Sequence, residues 1–318
     1  MLSKNKIKYI HSLELKKNRK EEQAFVAEGH KLVGDLLGHF HCKLLVATPS
    51  WLEKHTDVKA DEIIEVTQEE LTRASLQKAP QDVLAIFSQP ENAMNASVIE
   101  HSLCLALDDV QDPGNLGTII RIADWFGIEH IFCSQGTVDV YNPKTIQATM
   151  GALARVKLHY CNLPSLLESV NAPIYGTFLD GTNMYQETLT AHGLIIMGNE
   201  GNGVSPQVAA KVNKRLYIPN YPAERETFRI SECSDGHRHH LCRVQTQNHK
   251  RLTILLSVSC RLKKSKSDIC QAYVWSLACV RCSNKILKLP VGTKSCSPDK
   301  TITPPIHSVA ACSSFKGA

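Results

Sequence analysis

Two glycine-rich segments of the chain contain the side chains best suited to chemistry. Residues 108–121 read D-D-V-Q-D-P-G-N-L-G-T-I-I-R, and residues 196–205 read I-M-G-N-E-G-N-G-V-S. Glycine lets the backbone approach a ligand closely, and Asn and Arg side chains can bind a phosphate or a hydroxyl group. Neither segment reads G-x-G-x-x-G, and G-x-x-x-x-G-K-S/T is absent from the sequence, which argues against a dinucleotide fold and a nucleotide phosphate loop.

Asn115 and Arg121 are the leading candidates within the first segment. We predict that Asn115 lies in the loop and that Arg121 lies in the second turn of the helix that follows. This spacing favours convergence of the amide and the guanidinium on one substrate group. Taken alone, however, a glycine-rich turn is more often structural than functional.

Residues 99–227 alternate between predicted strands and helices. The apolar run from Ser102 to Leu107 is typical of a central parallel strand, and Leu194 to Met197 predicts another strand, which leads into the second glycine-rich segment. Parallel strands are also predicted at residues 129–133, 158–160, 174–178 and 216–219. In such α/β sheets ligands bind beyond the carboxyl ends of the strands, where both glycine-rich segments are expected.

Residues 1–98 predict a smaller α/β layer with partly parallel strands. We predict a helix from Glu22 to Leu37, strands at residues 44–48, 62–66 and 83–87, and a helix from Thr67 to Leu76. The polar stretch from Gln89 to Ser97 is the predicted linker. We therefore expect domains at residues 1–98 and 99–227, followed by a tail at 228–318.

The length of 318 residues and the composition, 43% hydrophobic and 21% charged, are typical of a globular protein with two domains. The sequence has no apolar stretch approaching the roughly 20 residues of a membrane-spanning helix. Its N-terminus lacks the apolar segment of a secretory signal. We therefore expect a cytoplasmic location.

The net charge of +5 is the sum of two unlike parts. Residues 1–227 contain 21 Lys and Arg against 27 Asp and Glu, whereas residues 228–318 contain 15 against 4. Within the acidic part, the first 20 residues form a basic arm with seven Lys and Arg against the single Glu14. Two interpretations are open: a surface that neutralises nucleic-acid phosphates, or a solvated helix face.

Both glycine-rich segments resemble the first two motifs of the SpoU/TrmH branch of the SPOUT RNA methyltransferases. Their order and spacing agree with the family, and Leu216-Tyr-Ile-Pro-Asn stands where the strand before the third motif is expected. The segments K-K-N-R-K-E-E-Q-A-F-V-A-E-G-H-K-L and P-Q-D-V-L-A-I-F are similar to the family's substrate-binding domain of L30e-like fold. The resemblance covers residues 1–227.

The resemblance implies a fold and an activity. It implies an L30e-like domain followed by a parallel-sheet domain with a deep trefoil knot, in a homodimer. It also implies transfer of a methyl group from S-adenosylmethionine to a ribose 2′-hydroxyl in structured RNA, ribosomal RNA more readily than transfer RNA, without a metal ion.

Each predicted site residue takes its role from this resemblance. The catalytic residues are Asn115, Arg121 and Glu200, of which Arg121 positions the hydroxyl or its phosphate, Asn115 orients it and Glu200 holds Arg121 or the loop. Backbone at Thr177, Gly198 and Ile218 is predicted to bind the cofactor. In this context RNA contact becomes the favoured interpretation of four residues of the basic arm: Lys16, Lys17, Arg19 and Lys20.

The sequence departs from the family after Thr227. The third motif, S-x-N-V followed by a small-residue helix, is missing. When plausible codons for residues 228–247 are read one nucleotide later, they give S-E-S-L-N-V-A-M-A-T-A-I-I-C-A-E-F-R-R, which contains that motif. We therefore predict that the chain is out of frame from Phe228, that its knot is incomplete, and that the Cys and His residues of the tail form no zinc site. Loss of the motif leaves a noncatalytic RNA-binding protein as the rival interpretation.

Overall fold

The structure is a computed structural model that describes residues 2–91, 93–199 and 201–218, apart from the side chain of Leu179. Within this part of the chain, two β-sheets are formed by residues 24–88 and 103–217. The predicted out-of-frame tail and the predicted third motif lie outside the described residues. So does the segment that would complete a knot.

The first sheet has four strands in the order β1-β4-β2-β3. Its strands are β1 (Ala24–Glu28), β2 (Cys42–Ala47), β3 (Ile63–Glu65) and β4 (Val83–Ser88). β2 pairs parallel with β3, while β4 runs antiparallel to both β1 and β2. The helices of this part are α1 (Lys4–Ser12), α2 (Lys16–Glu22), α3 (His30–Leu37), α4 (Pro49–Leu52) and α5 (Gln68–Ala74).

The prediction of one helix from Glu22 to Leu37 is wrong in its first half. Residues 24–28 form strand β1, and only residues from His30 onward are helical. All five residues of β1 are buried, so apolar side chains occur on both faces of the strand and imitate a helical pattern. Gly29, at φ 102°, makes the turn between the strand and the helix.

The second sheet has six strands, and every neighbouring pair is parallel, as predicted. Its order is β10-β8-β9-β5-β6-β7. The strands are β5 (Leu103–Leu107), β6 (His130–Cys133), β7 (Lys157–Tyr160), β8 (Ile174–Asn183), β9 (Gly193–Met197) and β10 (Lys214–Tyr217). The chain builds outward from β5 through β6 to β7, then crosses over to β8, so the strand order reverses between β5 and β9.

The helices of this second part cover both faces of the sheet. They are α6 (Val98–His101), α7 (Pro113–Phe126), α8 (Pro143–Thr149), α9 (Leu163–Ser169) and α10 (Pro206–Ala209), with a short 3₁₀ helix at Ala152–Ala154. Strands β5 and β9 are almost entirely buried, which explains their continuous apolar sequences. Helix α10, which follows the second glycine-rich segment, is only four residues long and ends at Ala209.

We retain the division into domains at residues 1–98 and 99–227 as a proposal. No helix in the described part of the chain is long and apolar enough to cross a bilayer.

Candidate active site

The two glycine-rich segments follow β5 and β9, which are neighbours in the sheet. Asp108 joins them: its backbone N–H donates to the Met197 carbonyl at 2.9 Å, and its carboxylate accepts the Ser205 N–H at 2.7 Å. Asp108 is buried. Because the strand order reverses at this place, ligands of open α/β sheets are expected to bind here.

The described residues on either side of Glu200, 198–199 and 201–203, form a tight turn that depends on glycine and is called the 198–203 turn. Asn199 and Gly203 exchange two backbone hydrogen bonds, at 2.8 and 3.0 Å. A Cβ on Gly198 would lie 2.3 Å from the carbonyl carbon of Gly203, too close for any side chain. The Asn199 side chain donates to the Asp109 carbonyl at 2.8 Å, which fixes the turn against the first segment.

A third loop, after β6, supports the first segment. The backbone N–H of Asp109 donates to the Ser134 hydroxyl at 2.9 Å, and the Thr137 hydroxyl donates to the Leu107 carbonyl at 3.1 Å. Asp109 has φ 60°, a conformation that Asp tolerates better than most residues. The sequence contained these residues, but only their hydrogen bonds reveal that they organise the loops.

Asn115 and Arg121 both lie within α7, so the prediction that Asn115 sits in the loop is wrong. The helix begins at Pro113, because the side chain of Asp112 caps it by accepting the Asn115 N–H at 2.7 Å. Six helical residues separate the two side chains by about 9 Å along the axis and about 120° around it. The helix therefore places them on different faces, and their convergence on one substrate group stays a prediction.

Arg121 is exposed on α7. Trp125, one turn later, is 61% exposed. An exposed guanidinium can stabilise negative charge on an RNA phosphate. Glu200, the third predicted catalytic residue, lies outside the described residues.

Two of the three predicted cofactor residues lie together. The pairing of β8 with β9 ends at Gly176 and Ile196, so Thr177, within β8, and Gly198, just after β9, both lie beyond the paired part of the two strands. This arrangement fits a cofactor held by main chain where the two strands stop pairing.

Ile218 immediately follows β10. The pairing of β10 with β8 shifts register between Arg215 and Leu216: Arg215 lies opposite Gly176, but Leu216 lies opposite Thr182. Residues 177–181 of β8 therefore have no partner in β10, and Ile218 lies three residues after Arg215. The binding of the cofactor by Ile218 stays a prediction.

A cavity of about 320 Å³ lies along β8 and β10. Arg215 lies beside it, with its guanidinium 3.6 Å from the ring centre of Phe178 and 2.7 Å from the Asp180 carboxylate. The hydrogen bond from Arg215 lowers the pKa of Asp180. None of Thr177, Gly198 and Ile218 lines this cavity.

The basic arm folds into α1 and α2, and its residues differ in exposure. Lys16, Lys17 and Lys20 are exposed on α2. Arg19 is only 2% exposed and is bound to Asp139 and to two backbone carbonyls, so the prediction that it contacts RNA is wrong. Its position in a Lys-rich run suggested a surface residue, and sequence spacing gave no signal of its distant partner.

Among the described residues, no group of three or more His, Cys, Asp or Glu side chains is arranged to hold a metal ion. Four cysteines in this part of the chain are free and buried: Cys42, Cys104, Cys133 and Cys161.

Comparison with known proteins agrees with this geometry. Residues 102–225 match the SpoU rRNA methylase family, and residues 4–85 match the MRM3-like substrate binding domain. A solved structure of a putative RNA methyltransferase of the TrmH family from Porphyromonas gingivalis is 38% identical. The match covers 83% of this chain and all of that chain, with a TM-score of 0.66. This chain belongs to the SpoU/TrmH family of RNA methyltransferases.

Two further SpoU/TrmH relatives have more specific descriptions. The 23S rRNA (guanosine(2553)-2′-O)-methyltransferase RlmP of Bacillus subtilis is 29% identical over 221 residues, 68% of this chain and 88% of that protein. An rRNA methyltransferase from Sinorhizobium meliloti was solved with AdoMet bound. It is 28% identical, with a TM-score of 0.61, and the match covers 73% of this chain and 91% of that one.

Proposed function

We propose that this protein transfers a methyl group from S-adenosylmethionine to a ribose 2′-hydroxyl in RNA, ribosomal RNA rather than transfer RNA. The observation that supports this most is the junction of the two family motifs at the point where the strand order reverses. There Asp108 binds the backbone of Ser205, and Asn199 binds the backbone of Asp109. RlmP, which matches this chain over 88% of its own length, is a 23S rRNA methyltransferase.

The protein's own residues have positioning and electrostatic roles in this reaction. S-adenosylmethionine supplies an electrophilic methyl group at a sulfonium. Arg121 binds the phosphate beside the target ribose, or the hydroxyl itself, and stabilises the charge that develops as the hydroxyl attacks. The guanidinium is permanently charged, so the hydroxyl proton passes to phosphate or water instead of Arg121. Asn115 orients the hydroxyl, and Glu200 holds Arg121 or its loop.

The cofactor is held mainly by backbone at Thr177 and Gly198. Both lie just beyond the paired part of β8 and β9, and the steric requirement at Gly198 keeps the 198–203 turn closed beside them. The family resemblance adds Ile218 to this binding surface.

RNA binds through Lys16, Lys17 and Lys20, whose exposed ammonium groups can replace the counterions of phosphates. The rRNA names of relatives such as RlmP favour rRNA over tRNA as the substrate.

We further propose a cytoplasmic homodimer whose catalytic domain has the family's knot, which is incomplete in the chain as written. Trp125 and Met150 are 61% and 48% exposed, and a partner protomer would remove these large apolar side chains from water. Light scattering on the purified chain tests the dimer, because a monomeric mass at micromolar concentration would contradict it.

A noncatalytic RNA-binding protein is the second candidate function. The observation that favours it is the absence of S-x-N-V after Pro219. If the frame is shifted at Phe228, the chain as written is weakly active or inactive, and restoring the frame recovers the activity.

One experiment separates the two candidates. Purified protein is titrated with S-adenosylmethionine by calorimetry and, separately, with an rRNA transcript by filter binding. Micromolar binding of S-adenosylmethionine together with methyl transfer to the transcript supports the enzyme. RNA binding without either result supports the noncatalytic protein, and absence of RNA binding contradicts both.

A further inference from the structure

The side chain of Arg19 makes four hydrogen bonds, two of which connect α2 to the loop after β6. Its Nη1 donates to the carbonyls of Leu13 and Glu14, at 2.9 and 2.6 Å. Its Nε and Nη2 donate to one carboxylate oxygen of Asp139, at 3.1 and 2.7 Å. Arg19 therefore holds the segment between α1 and α2 and the Asp139 side chain at fixed positions relative to each other.

Asp139 is held equally firmly from its own side. Its second carboxylate oxygen accepts the backbone N–H of Tyr141 at 3.1 Å, and the Tyr141 ring stacks on Phe25 of β1 with ring centres 5.0 Å apart. Residues 1–98 and residues 99–227 are therefore joined at this loop by an ion pair, Arg19–Asp139, and by an aromatic contact, Phe25–Tyr141.

The loop that contains Asp139 also supports the candidate active site. The N–H of Val138 donates to the carbonyl of Val110 at 2.9 Å, and Val110 immediately follows Asp109. The Thr137 hydroxyl binds the Leu107 carbonyl at the end of β5. A short series of hydrogen bonds therefore runs from α2, through Asp139, to the first glycine-rich segment.

Lys16, Lys17 and Lys20 lie on the same short helix as Arg19 but are exposed. RNA held by these lysines is therefore held at a fixed distance from the strand ends where α7 begins. A buried ion pair is seldom retained for stability alone, because well-packed apolar residues often do as well. The planar guanidinium of Arg19, in contrast, fixes the direction of its hydrogen bonds to Asp139 as well as their length.

We propose that Arg19 is a positioning residue that fixes the RNA-binding lysines of α2 relative to the methyl-transfer site through Asp139. This rests on the proposed function. Arg19 touches neither RNA nor cofactor, and it acts by holding α2 against the 134–142 loop.

The test compares Arg19→Lys with a matched control in the full-length protein. Arg19→Lys keeps the positive charge, but one ammonium cannot bond Leu13, Glu14 and Asp139 with the same geometry. Arg155→Lys makes the same change in an exposed pair, in which Arg155 binds both carboxylate oxygens of Asp124 at 2.7 Å.

Two measurements are made on each variant with the same rRNA transcript. We expect Arg19→Lys to leave the RNA dissociation constant within about twofold of wild type, because the three lysines that displace counterions remain. The single-turnover rate of methylation at saturating RNA should fall about tenfold, because small displacements of a bound substrate are costly in rate. Arg155→Lys should change neither quantity.

Hydrogen exchange gives a readout that does not depend on activity. RNA binding should slow amide exchange in residues 134–142 of the wild-type protein and of Arg155→Lys, but not of Arg19→Lys. If wild-type protein binds RNA without transferring methyl groups, the proposed function fails, and this exchange difference still decides the positioning role. Weaker RNA binding at an unchanged rate, or identical exchange in all three proteins, would overturn the proposal.

Discussion

Replacing Gly198 with alanine tests whether the 198–203 turn forms part of the cofactor site. The added Cβ would lie 2.3, 2.4 and 2.5 Å from backbone atoms of Gly203 and Val204. Backbone atoms cannot rotate away as a flexible side chain can. The turn must therefore open, or the strand end must shift.

Two estimates of the free-energy cost of accommodating the alanine Cβ at position 198 agree. Overpacking at a tight site costs about 1–3 kcal/mol. Opening the turn would lose both Asn199–Gly203 hydrogen bonds, each about 0.5–1.5 kcal/mol, so about 1–3 kcal/mol in total. With a cost of about 2 kcal/mol, and tenfold for every 1.4 kcal/mol, affinity for S-adenosylmethionine should fall about 30-fold.

Calorimetric titration with S-adenosylmethionine measures this effect, and urea unfolding reports the stability of each variant. Gly34→Ala is the control, because nothing lies within 4 Å of a Cβ at Gly34, in the interior of α3. Alanine there should raise the free energy of unfolding by about 0.5–1 kcal/mol and leave cofactor affinity unchanged. Wild-type affinity in Gly198→Ala would refute the assignment of this turn to the cofactor site.

Two further predictions concern charge. Burial raises the pKa of Glu28, so the fold is most stable when this carboxyl is protonated and loses stability as pH rises through the raised pKa. Glu28→Gln should remove that loss in urea unfolding measured between about pH 4 and pH 8, and an unchanged pH dependence would contradict the assigned cause. Combined alanine substitution of Lys16, Lys17 and Lys20 should reduce the slope of log affinity for RNA against log salt by about one per lysine. Lys211→Ala, which removes a lysine paired with Glu168 at 2.8 Å, should leave the slope unchanged.

Most elements of the second sheet could be predicted, because its strands are short apolar runs separated by polar turns. The run at residues 103–107 is buried on both faces, and α7 ends at Gly127 in the left-handed conformation that glycine favours. Local composition was less informative at β1. There, β1 is buried by contacts with helices such as α3 and α8 and by the Tyr141 ring on Phe25, which the local sequence does not specify.

The candidate site could be predicted only in part. The spacing of the glycines located both loops. Where the backbone must come close to another group, only glycine fits, and this requirement does not depend on how the distant parts of the chain pack. The prediction misplaced the start of α7, since the Asp112 side chain accepts the Asn115 N–H and caps a helix that already includes Asn115. Nothing in the sequence indicated the register shift between β8 and β10, which leaves residues 177–181 of β8 without a partner in β10.

The sequence by itself determined the family, the order of strands and helices in the second part, and the two glycine-rich segments, because these depend on local residue types and spacing. Only the tertiary structure decided what the residues of the basic arm do. Neighbours in sequence, Lys20 and Arg19, have opposite environments, since Arg19 meets a carboxylate 120 residues away while Lys20 faces solvent. Burial and pairing depend on which distant segments pack together, and the local charge pattern is the same in either case.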